Sequence, residues 1–264
     1  MKVVVFDLDE TLGYFVEFGI FWECLTRQLR DTTSIKLTQD DFNRILDLYP
    51  EFLRPNIYNI LNYLKSKKIN GFCEKVMIYT NNQGPKSWAQ QVIHYFESKL
   101  KYNLFDQIVC AFKVNGKRIE PNRTSHEKSY NDLLSCSNTK IPSNAEICFL
   151  DDNYFSEMSH DNVYYIYVKP YKHDIEYSEM IKRLTNSRIL EYGLQEEDDL
   201  IKRMRTYKYS CSVKQDEEYE EDKILSKDIL SYLRLFFYVP PKPKTFKKKP
   251  VKKANKTAKR YSNT

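Results

Sequence analysis

The sequence predicts an α/β protein built on a parallel, doubly wound sheet of five strands, with a helical insertion after the first strand and further helices toward the C-terminal end. Three observations carry this expectation. Short runs rich in Val, Ile, Tyr and Phe recur between residues 2 and 168, and patterns with apolar residues three and four apart separate them. The runs are almost continuously apolar, as strands covered on both faces are.

In chain order, the strands are expected at residues 2–7, 74–82, 105–112, 145–153 and 163–168. Between them lie helical patterns at 55–68, 85–101 and 125–135, each with apolar residues three and four apart. Residues 13–50 interrupt the alternation with two expected helices, FVEFGIFWECLTRQLR and TQDDFNRILDLY, the second capped by Thr38 with Asp41 three residues on. This segment reads as a cap or lid overhanging the first strand. Its aromatics Phe15, Phe18, Phe21 and Trp22 are read as core at helical spacing, with a grip on substrate as the alternative. Beyond residue 170, helical patterns run through EYSEMIKRL and DILSYLRLFFYV, and the acidic run DEEYEED at 216–222 reads as a solvated loop. The expected organisation is a core of 1–12 and 51–170, an insertion at 13–50, a helical extension at 171–239 and a disordered basic tail at 240–264.

Ligands of such sheets bind outside the carboxyl ends of the strands, and the polar residues collect there. The first strand, VVVF, ends in Asp7 and Asp9, which period two places on one side about 6–7 Å apart. Two carboxylates this close are costly without a cation or proton between them. The second strand ends in Thr80 and Asn81 and the fourth in Asp151 and Asp152; Lys128 belongs to the helical pattern that follows the third. This set suits phosphoryl transfer. Asp7 would attack phosphorus and Asp9 would protonate the leaving oxygen, then deprotonate water. Asp151 and Asp152 would hold Mg²⁺ against Asp7, while Thr80, the Asn81 N–H and Lys128 would bind the phosphoryl oxygens. Lys113, Lys117 and Arg123 are nearby alternatives for the cationic role, and His126 reads as a surface or capping residue.

These residues resemble the haloacid dehalogenase (HAD) superfamily of aspartate-nucleophile phosphatases. The likeness rests on Asp7-Leu8-Asp9-Glu10-Thr11 as DxDxT, on strand-ending Thr80, on Lys128 as the helix-borne lysine, and on the pair Asp151-Asp152. DLDETL followed by Arg54-Pro55 and then by VMIYTNN is similar to the branch of RNA polymerase C-terminal-domain and NLI-interacting-factor-like (FCP/SCP-like) phosphatases. The resemblance implies a HAD-type Rossmann-like fold and a Mg²⁺-dependent phosphatase acting on phosphoserine or phosphothreonine in a protein or peptide. It also implies Asp7 as nucleophile, Asp9 as acid/base and metal ligand through its carbonyl, and Asp152 as metal ligand supported by Asp151. The chain differs from that branch in carrying Asn81-Asn82-Gln83 after the threonine, Asp152-Asn153-Tyr154 at the fourth motif, and a helical insertion. TNNQ also resembles the TNQ of polynucleotide phosphatases, which makes a nucleotidase or a nucleic-acid 3′-phosphatase the alternative enzyme. A non-enzymatic phospho-binding scaffold on the same fold is the alternative of another class.

The 264 residues carry a formal net charge of +6, but residues 240–264 hold ten Lys or Arg and no acid, which leaves the rest at −4. The basic character belongs to the tail. A run such as KKKPVKK is a candidate nucleic-acid contact or nuclear address, with a solubilising tail as the plain alternative. Six cysteines without any CxxC spacing favour a reducing compartment, and neither a signal peptide nor an apolar run of transmembrane length is read. The expectation is a soluble protein of the cytoplasm or nucleus, without membrane contact.

Overall fold

The computed structural model describes residues 1–138, 140–190, 197–209 and 214–238. The basic tail at 240–264 and Cys211 lie outside the described residues; the other five cysteines are free and buried. The architecture is α/β. Strands β1 (Lys2–Phe6), β2 (Lys75–Tyr79), β3 (Gln107–Val109), β6 (Glu146–Asp151) and β7 (Val163–Tyr167) form one all-parallel sheet in the order β3-β2-β1-β6-β7. A small antiparallel hairpin, β4 (Lys113–Val114) with β5 (Lys117–Arg118), follows β3. Its Asn115-Gly116 turn has φ of 48° and 75°, the left-handed geometry that Asn-Gly supplies in tight hairpins.

The first strand sits in the middle. Val3 pairs with Lys75 on one side and with Ile147 on the other, so the chain leaves β1 toward β2 and later returns across it to β6. That reversal of direction opens a crevice at the carboxyl ends of β1 and β6.

Period two sorts the strand residues between two cores. Val4, Phe6, Val76, Ile78, Cys148 and Leu150 face the larger one, with α1 (Val16–Thr33), α2 (Gln39–Leu46), α3 (Ile57–Ile69) and α4 (Lys86–Leu100). Val3, Val5, Met77, Tyr79, Ile147 and Phe149 face a smaller one closed by α5 (Tyr130–Cys136) and Met158. The two helices of residues 13–50 belong to the larger core. Phe18, on α1, lies with ring centroids 5.4 Å from Phe42, 5.9 Å from Phe52 and 6.1 Å from Trp88. Phe15, Phe18 and Phe21 are fully buried, in agreement with their reading as core. Thr38 caps α2 with both bonds of a capping box to Asp41.

Two expectations are corrected. Residues 216–222 are not a loop: they form the first turns of α8 (Asp216–Phe236), where Asp216, Glu217 and Glu218 lie at the positive end of the helix dipole. Asp222 in the same run is buried and ion-paired with Lys214. The helix expected at 125–135 begins only at Tyr130, capped by the Ser129 hydroxyl, so Lys128 stands on the loop before α5 and not on a helix. The extension also holds α6 (Tyr177–Ser187) and α7 (Glu197–Arg205), the latter not read from the sequence. Among the described residues, no helix is long and apolar enough to cross a membrane.

Candidate active site

The site begins where β1 stops. The Asp7 N–H continues the ladder to the Leu150 carbonyl at 2.8 Å, and the chain then turns sharply, with Glu10 in the left-handed region at φ 59°. Glu10 N–H donates to the Gly13 carbonyl and Leu12 N–H to the Leu8 carbonyl, which fixes the turn around Asp9. Gly13 is required because a Cβ there would stand 2.5 Å from the Phe52 carbonyl oxygen. Beneath the turn, buried Arg54 donates to the carbonyls of Thr11 at 2.6 Å and Lys169 at 2.8 Å, and to that of Glu10. Burial lowers its pKa to about 10. Arg54 thus holds the aspartate turn through main-chain contacts.

Lys128 is 1% exposed and touches two carboxylates, Asp7 Oδ1 at 2.5 Å and Asp151 Oδ2 at 2.6 Å. Burial pulls its pKa down, but Asp7 and Asp151 outweigh that and hold it above the ordinary lysine value. Burial raises the Asp151 carboxyl while Lys128 opposes the rise. An ammonium in direct contact with both carboxyls ties the three groups into one hydrogen-bonded cluster. Asp152 lies beside them, accepting from the Thr11 hydroxyl at 3.2 Å and from the Asn153 amide at 3.0 Å; burial, and then the charge of Asp7, raises its pKa.

Asp9 differs. One carboxylate oxygen accepts from the Asn82 amide at 2.6 Å, and the other is buried with no hydrogen-bond partner among the described residues. Burial pushes its pKa up to about 7, with Asn82 pulling down and Asp7 adding to the rise. Such a carboxyl exchanges its proton near neutrality.

The end of β2 supplies Thr80 and Asn81. The Thr80 oxygen accepts from the Asn82 N–H at 3.0 Å, leaving its own proton to donate toward the cleft it lines. The Asn81 side chain turns aside and donates to the His126 carbonyl at 3.0 Å. Asp7, Asp9, Thr80, Asn81, Lys128 and Asp152 all line one cleft of about 200 Å³. Asp151 is fully buried behind it, reaching the cleft through Lys128. Of the alternatives to Lys128, Arg123 is buried and bonded to main-chain carbonyls, while Lys113 and Lys117 belong to the β4–β5 hairpin.

The donor set suits a hard divalent cation. Asp7, Asp151 and Asp152 each offer a carboxylate oxygen, all within 4.8 Å of one another. Among the described residues Lys128 is the one cation paired with this group, touching Asp7 and Asp151 but not Asp152.

Two contributors are not legible in the sequence. Asn82, which holds Asp9, sits in a TNNQ run where either asparagine is an equal candidate. Phe155, whose ring lies 5.3 Å from Lys128 Nζ, follows the fourth strand as an ordinary loop aromatic. Neither the protein-family models nor the curated proteins yield a match to this chain.

Proposed function

We propose that the protein is a Mg²⁺-dependent phosphomonoesterase of HAD type, working through an aspartyl phosphate. The observation that carries this is the asymmetry of the two aspartates within one cleft: Asp7 is held against a lysine, and Asp9 beside it has a pKa of about 7. An Asp7 oxygen attacks phosphorus, the bond from phosphorus to the alcohol oxygen breaks, and protonated Asp9 gives that oxygen its proton. Asp9 then takes a proton from water as the water oxygen attacks phosphorus; the acyl phosphate bond breaks, releasing inorganic phosphate and restoring the Asp7 carboxylate. Lys128, Thr80 and the main-chain N–H of Asn81 face the phosphoryl oxygens. Asp7, Asp152 and Asp151 would hold Mg²⁺, which offsets phosphate charge when bound.

The substrate we infer is a phosphoserine or phosphothreonine side chain of a protein. Asn82, the partner of Asp9, is shared between the cleft and a groove of about 580 Å³ walled by Trp22, Trp88, Ile20 and Arg27. The groove therefore opens on the side of Asp9, toward which the leaving alcohol departs, and it has room for a bulky one.

The test is phosphate release from phosphopeptides, nucleotides, 3′-phosphorylated oligonucleotides and sugar phosphates, with and without Mg²⁺, using Asp7→Asn as the blank. Release from phosphopeptides that disappears in the mutant supports the whole reading. Preference for nucleotides or oligonucleotide ends would replace the substrate, and undiminished release by Asp7→Asn would refute the mechanism. Phosphopeptide binding without turnover would leave a scaffold.

A further inference from the structure

We infer that Arg123 is a positioning residue, which sets both phosphoryl-binding segments of the site from one buried guanidinium; the inference rests on the phosphatase reading above. Arg123 is fully buried, and its bonds end on main-chain carbonyls of three separate segments. Nη1 donates to the carbonyl of Thr80 at 3.2 Å and of Cys110 at 2.9 Å, and Nη2 to that of His126 at 3.0 Å. The guanidinium carbon also lies 4.8 Å from the ring centroid of Tyr79, the last residue of β2.

Two of these carbonyls sit close to phosphoryl binders. The Thr80 carbonyl and the Asn81 N–H are the two ends of one planar peptide group, so a donor on the oxygen fixes the plane in which the N–H points. It also polarises that N–H toward an anion. The His126 carbonyl lies two residues before Lys128, on the loop that delivers the ammonium to Asp7, and it also accepts from the Asn81 side chain at 3.0 Å. One guanidinium thereby ties the end of β2 to the Lys128 loop.

Arg123 is itself held still. The N–H of its neighbour Thr124 donates to Asp132 at 2.9 Å, and Asp132 belongs to the first turn of α5, whose Ser129 cap accepts from the Asp132 N–H. The planar fork suits this role, because two nitrogens serve the β-strand ends and the loop at once, which a point-like ammonium does poorly. Arg123 is not expected to touch substrate, since it does not line the cleft.

The test compares Arg123→Lys and Arg123→Met with the wild type on p-nitrophenyl phosphate and on a phosphopeptide, with inorganic phosphate as competitive inhibitor and a thermal melt to certify folding. Arg123→Lys keeps the buried cation and carries the comparison should Arg123→Met fail to fold. In the folded variants, kcat/KM is expected to fall about tenfold to a hundredfold, by the same factor on both substrates, and inhibition by phosphate to weaken in step. A merely structural role would lower the melting temperature and leave phosphate inhibition per folded molecule unchanged. That result, or wild-type kcat/KM in folded Arg123→Lys, overturns the inference. A wild type that neither releases phosphate nor responds to it removes the phosphatase reading, and the positioning role falls with it; that failure shows in the wild type alone.

Discussion

Two sets of buried carboxylates in this molecule meet opposite fates. At the cleft, Asp7 and Asp151 share the buried Lys128 ammonium, which touches both. On α1, Glu17 is just as buried, but one of its oxygens accepts the Ile175 N–H at 2.8 Å and the other has no partner among the described residues. Burial therefore pushes Glu17 up to about 8, the Ile175 bond opposing and Asp174 and Glu176 adding to the rise. Burial alone does not set the two apart. Asp7 has a matched cation and a cleft beside it, whereas Glu17 lines no such cleft and joins α1 to the segment before α6.

The largest effect expected from breaking this contrast is on turnover. Asp7→Asn should lower Mg²⁺-dependent phosphate release by about 10⁴-fold or more, with the melting temperature close to wild type, because the proposed mechanism loses its nucleophile while the shape is kept. Next comes Lys128→Met, which leaves two buried carboxylates uncompensated. It should cost about 3–5 kcal/mol in a urea melt at neutral pH, and less as acid protonates the stranded carboxyls.

Glu17→Gln sharpens the comparison from the other side. Because the folded state holds the Glu17 proton up to about pH 8 while the unfolded chain loses it near the ordinary value of 4.5, stability declines as pH rises between those limits. The glutamine variant escapes that decline. Its melting temperature should match wild type at pH 4 and exceed it at pH 9, by on the order of 2 kcal/mol in stability; equal curves across the range would remove the contrast. The smallest effect belongs to a half-buried carboxylate at a helix start. Asp41→Ala at the capping box of α2 should cost about 0.5–1 kcal/mol, with little effect on turnover.

The strand ends are readable because each is an apolar run that stops at a polar residue, and parallel pairing brings such ends together. Asp7, Thr80 and Asp151 follow from that alone. Lys128 is readable as a residue but not as a place, since its position depends on Ser129 capping α5 one residue later. Arg123 and Asn82 reach Thr80, Cys110 and Asp9 across 13 to 73 residues of sequence, and no local pattern announces such bonds. The acidic run at 216–222 misleads for a different reason. Its charge density suggests solvent, while Gln215 as cap and acids in the first turn are the stronger, local signal for a helix start.

The central place of β1 has a consequence for synthesis on the ribosome. Asp7 is translated some 140 residues before β6, the strand that completes its surroundings. At about 5–20 residues per second, roughly 7–30 s pass between them. During that interval β1 has at most one partner, β2, and offers a bare apolar edge to any neighbouring nascent chain. The acidic cleft thus closes only once β6 has been made, and until then the edge of β1 depends on being kept from other chains.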